Sequence, residues 1–199
     1  MLAFIGESGL NRAVFLDRDG TINVEKRYLH KIEDFEFLPG VIEALKLLQS
    51  AGYILIIVTN QSGIGRGYYT EADFNVLNDW MINTLKQEQI NVSKVYFCPH
   101  LPNAKIERYR VNCTCRKPSL GMYDQAIEDF NIDVSKSWAV GDKIRDCAIC
   151  EKYGCRGYLI ADNERADVIN KVKNHEIKNV NYAIDLFECA KLITTNLEV

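Results

Sequence analysis

Short apolar runs alternate along the chain with longer segments whose apolar residues recur every three or four positions. Short uninterrupted apolar runs are typical of strands buried on both faces of a sheet, and the longer spacing is typical of amphipathic helices. The runs predict strands at residues 13–17, 53–60, 94–98, 137–142 and 156–161. The helical spacing predicts helices at residues 38–52, 70–89, 121–131 and 144–154. Residues 179–193 are expected to contain the end of a further strand and then a terminal helix.

Strands that alternate with helices predict an α/β fold, here a three-layer Rossmann-like parallel sheet with helices on both faces. We expect one domain over residues 1–199, because this length allows a sizeable core and the sequence contains no internal repeat, low-complexity tract or linker. Ligands bind such sheets at the carboxyl ends of the strands. The chemistry is therefore expected in the loops that follow the strands.

Composition and charge bear on the class of partner. Hydrophobic residues make up 47% of the chain and charged residues 26%, which is ordinary for a soluble globular protein. The net charge of −3 does not indicate a positively charged surface of the kind that binds nucleic acid or an anionic membrane. No apolar run approaches the ~20 residues of a membrane span, and the N-terminus lacks signal-peptide features. We expect a cytoplasmic monomer that acts on a small molecule.

Polar motifs follow three of the predicted strands, with the sequences LDRDG, VTNQSG and VGDK. In LDRDG, turn formation alone would account for an aspartate and a glycine. Asp17 and Asp19, however, point the same way along an extended chain. Asp17 is a candidate nucleophile for phosphorus, and Asp19 is a candidate general acid and base.

Two carboxylates repel an anionic substrate unless a cation lies between them, and Mg²⁺ bound through oxygen ligands is the usual solution. Asp142 ends another strand and is the natural further ligand, with Asp146 one helical turn beyond it. Each aspartate taken alone is better explained as a turn or a helix cap. Their convergence on neighbouring strand ends favours a magnesium site.

The loop that begins at Thr59 and Asn60 continues as QSGIGRG. A hydroxyl group and the amides of a glycine-rich turn suit a phosphoryl oxygen, although a flexible loop would have the same composition. Lys117, beside Arg116 in CRKP, supplies the positive charge that a phosphoryl transition state needs.

Two pairs of possible metal ligands flank the long loop that precedes Lys117. Cys98 and His100 are separated by one residue, as are Cys113 and Cys115, and twelve residues lie between the pairs. This set predicts a closed tetrahedral zinc site with a structural role; reduced surface cysteines beside a chance histidine are the alternative. The remaining cysteines are expected in the core, at positions Cys147, Cys150, Cys155 and Cys189.

The motifs DRDGT, VTNQSG, CRKP and VGDKIRD, in that order, resemble the haloacid dehalogenase superfamily of aspartate-nucleophile phosphatases. More narrowly, they resemble its family of heptose bisphosphate and histidinol-phosphate phosphatases, over about residues 14–160, and the zinc loop is the most specific element. The resemblance implies a capless fold with a zinc-binding loop at residues 98–115. It also implies Mg²⁺ bound by Asp17, the backbone carbonyl of Asp19 and Asp142.

The resemblance further assigns roles to individual residues. Asp17 would be the nucleophile, Asp19 the general acid and base, and Thr59 and Lys117 would stabilise the phosphoryl group. The substrate-binding residues that it implies are Glu25, Lys26, Arg27, Tyr28, Thr59, Asn60, Gln61, Ser62, Arg116, Lys117 and Lys143. Zinc would be held by Cys98, His100, Cys113 and Cys115.

The activity implied by the resemblance is Mg²⁺-dependent removal of the C7 phosphate from a D-glycero-D-manno-heptose 1,7-bisphosphate. This reaction belongs to nucleotide-activated heptose biosynthesis, which serves lipopolysaccharide. Histidinol phosphate is the alternative substrate. A zinc-stabilised nucleic-acid-binding module is an alternative of a different class, and the low net charge counts against it.

Overall fold

The computed structural model describes residues 9–161 and 165–195, which form a six-stranded sheet with helices on both faces. The strands are β1 (Ala13–Leu16), β2 (Ile54–Asn60), β3 (Val92–Cys98), β4 (Trp138–Gly141), β5 (Arg156–Ile160) and β6 (Val180–Ala183). They lie in the order β3-β2-β1-β4-β5-β6, and every neighbouring pair is parallel. The predicted α/β fold with a parallel sheet is confirmed.

Seven α-helices lie within the described residues. They are α1 (Val41–Ser50), α2 (Ser62–Arg66), α3 (Glu71–Gln87), α4 (Gly121–Phe130), α5 (Ala148–Tyr153), α6 (Ala166–Lys173) and α7 (Leu186–Thr195). Helices α1, α3 and α7 contribute to the core on one face of the sheet, and α4, α5 and α6 contribute to the core on the other. The fold therefore has three layers, as predicted.

Strand β1 shows how the apolar runs build both cores at once. Val14 and Leu16 pack in the core that contains α1, whereas Phe15 packs against α4 on the opposite face. All four residues of β1 are buried, because successive side chains of a strand point to opposite faces and both faces are covered. An uninterrupted apolar run is the expected sequence of such a strand.

Several predicted elements differ from the structure in their details. The first helix begins at Val41 rather than at residue 38, because Pro39 and Gly40 form a turn. The helix predicted at 144–154 opens with a 3₁₀ turn at Ile144–Cys147 before α5. Helix α3 begins as predicted, since Thr70 and Asp73 form a reciprocal capping box.

Two helices are additions to the prediction. Helix α2 has five residues, two of them glycine, and lies in the segment expected to be a glycine-rich turn. Helix α6 has eight residues, four of them apolar, and it buries Val168, Ile169 and Val172 on one face. No helix of the described residues has the length and apolar character needed to cross a membrane.

The strand order places a crevice at the carboxyl end of β1. From β1 the chain moves outward through β2 to β3 and then returns to β4 on the other side of β1. A crevice forms where the strand order reverses in this way, and ligands of open α/β sheets bind there. The loops after β1, β2 and β4 therefore meet at the position where the polar motifs were expected.

Candidate active site

A tight turn follows β1 and carries the first two aspartates. The backbone N–H of Asp17 donates to the carbonyl of Val140 at 2.9 Å, so Asp17 continues the pairing between β1 and β4. The chain then folds around the carbonyl of Arg18, which accepts hydrogen bonds from three following amides, those of Thr21, Ile22 and Asn23. This turn fixes the backbone on both sides of Asp19.

Gly20 allows Asp142 to approach this turn closely. Its φ is +83°, in the left-handed region, and a Cβ added there would lie 2.7 Å from Oδ2 of Asp142. Glycine is therefore required both for the backbone conformation and for the space. The Oδ2 atom also accepts a hydrogen bond from Nζ of Lys143 at 2.5 Å.

The ammonium group of Lys117 lies at the centre of the site. Its Nζ is 2.9 Å from Oδ1 of Asp17 and 2.7 Å from Oδ1 of Asp146, and it donates to the carbonyl of Val58 at 2.6 Å. Lys117 and Asp146 are each 2% exposed, and Asp17 is 6% exposed. Buried charges persist only when they are paired, so these three side chains depend on one another.

Asn60 holds the backbone of this lysine in place. Its side-chain Nδ2 donates to the carbonyl of Lys117 at 3.1 Å, and its Oδ1 accepts from the N–H of Lys117 at 3.0 Å. This two-point contact joins the end of β2 to the segment that delivers the lysine. The amide group of Asn60 is thus used for positioning.

Burial sets the protonation equilibria of the charged pair. It raises the pKa of Asp17 to about 6, and the neighbouring Asp146 carboxylate adds to the increase while Lys117 opposes it. Burial alone would lower the pKa of Lys117, but the two carboxylates outweigh it and raise that pKa. Asp17 is therefore an ionised but poorly solvated carboxylate near neutral pH.

Asp19 has a different environment from Asp17. Burial acts to raise its pKa, but the Arg18 guanidinium and hydrogen bonds from Asn23 and Gln61 lower it overall. Arg18 is 1% exposed and lies 3.1 Å from Oδ1 of Asp19. The two aspartates are thus ionised by different means, one beside an ammonium and the other in a network of hydrogen-bond donors.

Three carboxylates form a group that fits a divalent metal ion. One oxygen from each of Asp17, Asp142 and Asp146 lies within 4.8 Å of the others. Oδ1 of Asp142 is buried and has no hydrogen-bond partner among the described residues. An oxygen-only donor set with an unsatisfied oxygen suits Mg²⁺.

A cavity of about 450 Å³ opens above these groups. The predicted residues that line it are Asp17, Asp19, Glu25, Arg27, Tyr28, Thr59, Asn60, Gln61, Ser62 and Lys143. Three predicted substrate-binding residues, Lys26, Arg116 and Lys117, are not among the residues that line it. Lys26 is paired with Glu36 at 3.1 Å, and Arg116 donates to the carbonyl of His100 at 3.4 Å in the zinc loop.

Three further residues join the site although they were not predicted as site residues. Asp146, expected one helical turn beyond the metal ligands, is brought back among them by the 3₁₀ turn at Ile144–Cys147. Arg145 and Tyr69 line the cavity. The second aspartate of VGDKIRD was the available signal for Asp146, whereas nothing in the local sequence marks Tyr69.

The four predicted zinc ligands meet at the end of β3. Sγ of Cys98 lies 3.1 Å from Sγ of Cys115 and 3.6 Å from Sγ of Cys113, and Nδ1 of His100 lies 3.2 Å from Sγ of Cys115. All four ligand atoms lie within 4.8 Å of one another. Three thiols and an imidazole in this arrangement fit a closed structural zinc site.

The zinc site is coupled to the catalytic centre through the backbone. Cys98 pairs with Asn60 in the sheet, and its carbonyl accepts from the N–H of Gln61 at 2.8 Å. The loop that starts at Cys98 returns to Cys115, two residues before Lys117. Leu101, Ala104 and Tyr109 of this loop pack in a small hydrophobic cluster, but the other residues between the two ligand pairs are exposed, so bound zinc would add order to the loop.

The sequence matches a known family over most of its length. Residues 12–184 match the family described as polynucleotide kinase 3 phosphatase. A D-glycero-beta-D-manno-heptose-1,7-bisphosphate 7-phosphatase from Haemophilus ducreyi is 43% identical over 176 residues, which cover 88% of this chain and 96% of that protein. The Salmonella typhi protein of the same name is 49% identical over 134 residues, covering 67% and 71%.

Solved structures of similar proteins have the same fold. The D,D-heptose 1,7-bisphosphate phosphatase from B. bronchiseptica, complexed with magnesium and phosphate, aligns with a TM-score of 0.78 and 28% identity, covering 93% of this chain and 99% of that one. The corresponding protein from Burkholderia thailandensis aligns with a TM-score of 0.63 and 27% identity, covering 91% and 97%.

Replacement of one zinc ligand tests the role of the loop. We expect Cys113→Ser to lose bound zinc and to become sensitive to proteases between residues 101 and 112, because nine of those twelve residues are exposed. Metal analysis by mass spectrometry and limited proteolysis measure both effects. Cys189→Ser, in the core on α7, is the control and should retain zinc. Full zinc content in Cys113→Ser would contradict the assignment.

Proposed function

This chain belongs to the family of D-glycero-beta-D-manno-heptose-1,7-bisphosphate 7-phosphatases within the haloacid dehalogenase superfamily, and we propose that it removes the C7 phosphate of such a heptose bisphosphate. The product is a heptose 1-phosphate, which serves nucleotide-activated heptose biosynthesis. The observation that carries the proposal is the buried Lys117 ammonium between Asp17 and Asp146, with Asp17 lining a polar cavity.

Asp17 is the nucleophile in this proposal. Its carboxylate lies at the end of β1, where the sheet holds its backbone and the cavity exposes it to substrate. Oδ1 is held by Lys117, which leaves Oδ2 to attack phosphorus. Attack forms an aspartyl-phosphate and releases the sugar oxygen, so that one difficult hydrolysis becomes two easier steps.

Asp19 moves the proton in both steps. The negative charge of the bound substrate favours protonation of Asp19, and in that form Asp19 gives its proton to the departing C7 oxygen of the sugar. The carboxylate so formed then takes a proton from the water that attacks the aspartyl-phosphate. Asp19 lines the same cavity as Asp17 and is held by Arg18 and Asn23. The two aspartates thus have separate roles because their surroundings differ.

Positive charge and a hydroxyl group stabilise the transferred phosphoryl group. Lys117 offsets the charge of Asp17 and Asp146, and Thr59 places a hydroxyl group at the cavity wall. Bound Mg²⁺ would neutralise phosphoryl charge and would be held by Asp17, Asp142 and the backbone carbonyl of Asp19, with Asp146 beside them.

The cavity wall favours a substrate with a second anionic group. Arg27, Lys143 and Arg145 line it, and Nε of Arg145 has no hydrogen-bond partner among the described residues, although it forms an ion pair with Oδ1 of Asp146 at 4.0 Å. Glu25 also lines the wall, but it lies 3.9 Å from Nζ of Lys143, which offsets its charge. A sugar bisphosphate satisfies these cations, whereas histidinol phosphate brings a positively charged amine to them.

The compartment and the oligomeric state are further parts of the proposal. We place the protein in the cytoplasm, since all seven cysteines are unpaired thiols and reducing compartments maintain thiols. We propose a monomer, since the cavity and both sets of metal ligands are built from residues of a single chain. Neither a membrane nor nucleic acid is needed for this reaction.

Replacement of the nucleophile tests the reaction. Asp17→Asn keeps the shape of the side chain but removes the attacking carboxylate, so we expect phosphate release to fall by at least about 10³-fold. Phosphate release from heptose 1,7-bisphosphate and the far-UV circular dichroism spectrum are the measurements. Asp79→Asn, an exposed site on α3, is the control with unchanged activity. Substantial activity in a folded Asp17→Asn variant would refute the mechanism.

Replacement of a wall cation tests the substrate class. Arg145→Met should raise KM for heptose 1,7-bisphosphate by about 10-fold or more, because a charge-assisted contact is lost, and should change KM for a monophosphate much less. Steady-state kinetics on both compounds and on histidinol phosphate give the comparison. Equal effects on the bisphosphate and the monophosphate, or preferred turnover of histidinol phosphate, would contradict this substrate assignment.

A further inference from the structure

We propose that Gln61 is a positioning residue, which fixes the carboxylate of Asp19 and the hydroxyl group of Thr59 without contacting substrate through its own side chain. This inference rests on the proposed function, since it concerns the same phosphoryl transfer. It differs from the role implied by resemblance, in which Gln61 is one of the residues that bind the sugar phosphate. The side-chain amide of Gln61 carries the argument.

The amide of Gln61 contacts four groups. Its Nε2 donates to Oδ2 of Asp19 at 2.9 Å and to Oγ1 of Thr59 at 2.9 Å. Its Oε1 accepts from the hydroxyl group of Tyr69 at 2.6 Å and from Nη2 of Arg18 at 3.5 Å. Gln61 is 3% exposed, so these contacts are made away from water.

The identity of the partners determines which way the amide faces. Arginine can only donate hydrogen bonds, so the atom of Gln61 that faces Arg18 must be the oxygen. Ionised Asp19 can only accept, so the atom that faces it must be the nitrogen. A flipped amide would place two donors together and two acceptors together, and this orientation is therefore the stable one.

The four contacts use the full hydrogen-bonding capacity of the side chain. A glutamine amide has two N–H donors and an oxygen with two lone pairs, and each of them has a protein partner here. The Gln61 side chain borders the cavity but has no free group with which to bind a substrate. Its contribution must act through Asp19 and Thr59.

Both neighbours are oriented for catalysis by these contacts. Because Gln61 donates to Oγ1 of Thr59, the hydroxyl hydrogen of Thr59 is free to donate to a phosphoryl oxygen. The Asp19 carboxylate is held through Oδ2 by Gln61 and through Oδ1 by Asn23. Its plane is fixed before substrate arrives, which reduces the reorganisation needed for proton transfer.

Tyr69 is in turn fixed in place by its own neighbours. A Cβ added at Gly63 would lie 2.1 Å from Cε1 of Tyr69, so the ring occupies space that only glycine leaves open. His30 stacks on Tyr69 with ring centroids 5.0 Å apart and an angle of 8° between the planes. Tyr69 is also only 6% exposed. Because its ring is buried and packed, its hydroxyl group can hold the Gln61 amide in place.

Two variants and two classes of phosphate ester test the proposal. Gln61→Met removes the amide and keeps the length of the side chain, and Tyr69→Phe removes only the hydroxyl group. The alkyl ester is heptose 1,7-bisphosphate, whose leaving oxygen needs protonation, and the aryl ester is 4-nitrophenyl phosphate, whose leaving group does not. Tyr96→Phe is the matched control, since its hydroxyl group also donates at 2.6 Å from a buried ring, to Asp129.

We expect Gln61→Met to lower kcat/KM for the alkyl ester by about 10- to 100-fold, as the loss of a hydrogen bond to a charged group predicts. The decrease should arise in kcat, with KM changed by less than about threefold, and should be about tenfold smaller for the aryl ester. Tyr69→Phe should show the same pattern with a loss of about 2- to 10-fold, and Tyr96→Phe should show none.

Two results would overturn the proposal. A rise in KM with unchanged kcat would make Gln61 a substrate contact, and equal losses on both esters would indicate general damage to the site. If Gln61→Met does not fold, Tyr69→Phe decides between these outcomes. If the wild-type protein does not hydrolyse the heptose bisphosphate, the proposed function fails, and glycerol phosphate replaces it as the alkyl ester for the positioning test.

Discussion

The site depends on one buried ammonium group. Lys117 lies within 3 Å of carboxylate oxygens from Asp17 and Asp146, and all three side chains are almost fully removed from water. Removal of Lys117 would leave two buried carboxylates without a positive partner, at a cost of several kcal/mol. The pairing places two carboxylates beside a phosphate site although they repel each other and the substrate. This neutralisation would make the proposed aspartate nucleophile compatible with an anionic substrate.

The scaffold delivers the ammonium group through a chain of backbone contacts. Asn60 fixes the main chain of Lys117 from the end of β2, and the zinc loop brings that segment back from Cys98 at the end of β3. Bound zinc would therefore act on the site through the position of this segment. At the same edge of the sheet Asp17 follows β1 and Asp142 follows β4, so the segments after β1, β2 and β4 meet at one site.

Sequence patterns predicted the sheet well, and the structure brings together the four predicted zinc residues as well as Asp17 and Asp142, because apolar runs and strand-end aspartates are local signals. Contacts that depend on folding across the chain were harder to predict. Asp146 joins the metal group because a 3₁₀ turn replaces the first turn of the predicted helix. The internal use of the Gln61 amide depends on Tyr69 and Arg18, which lie eight and 43 residues away. The position of Arg116 away from the cavity likewise follows from its contact with His100.

The stereochemical course at phosphorus tests most directly whether Asp17 forms a covalent intermediate. Attack by Asp17 and then by water are two displacements, and each inverts the configuration at phosphorus. Hydrolysis of a phosphorothioate ester made chiral with oxygen isotopes should therefore proceed with overall retention, as read from the phosphorus NMR spectrum of the product. Overall inversion would show a single attack by water and would contradict the account.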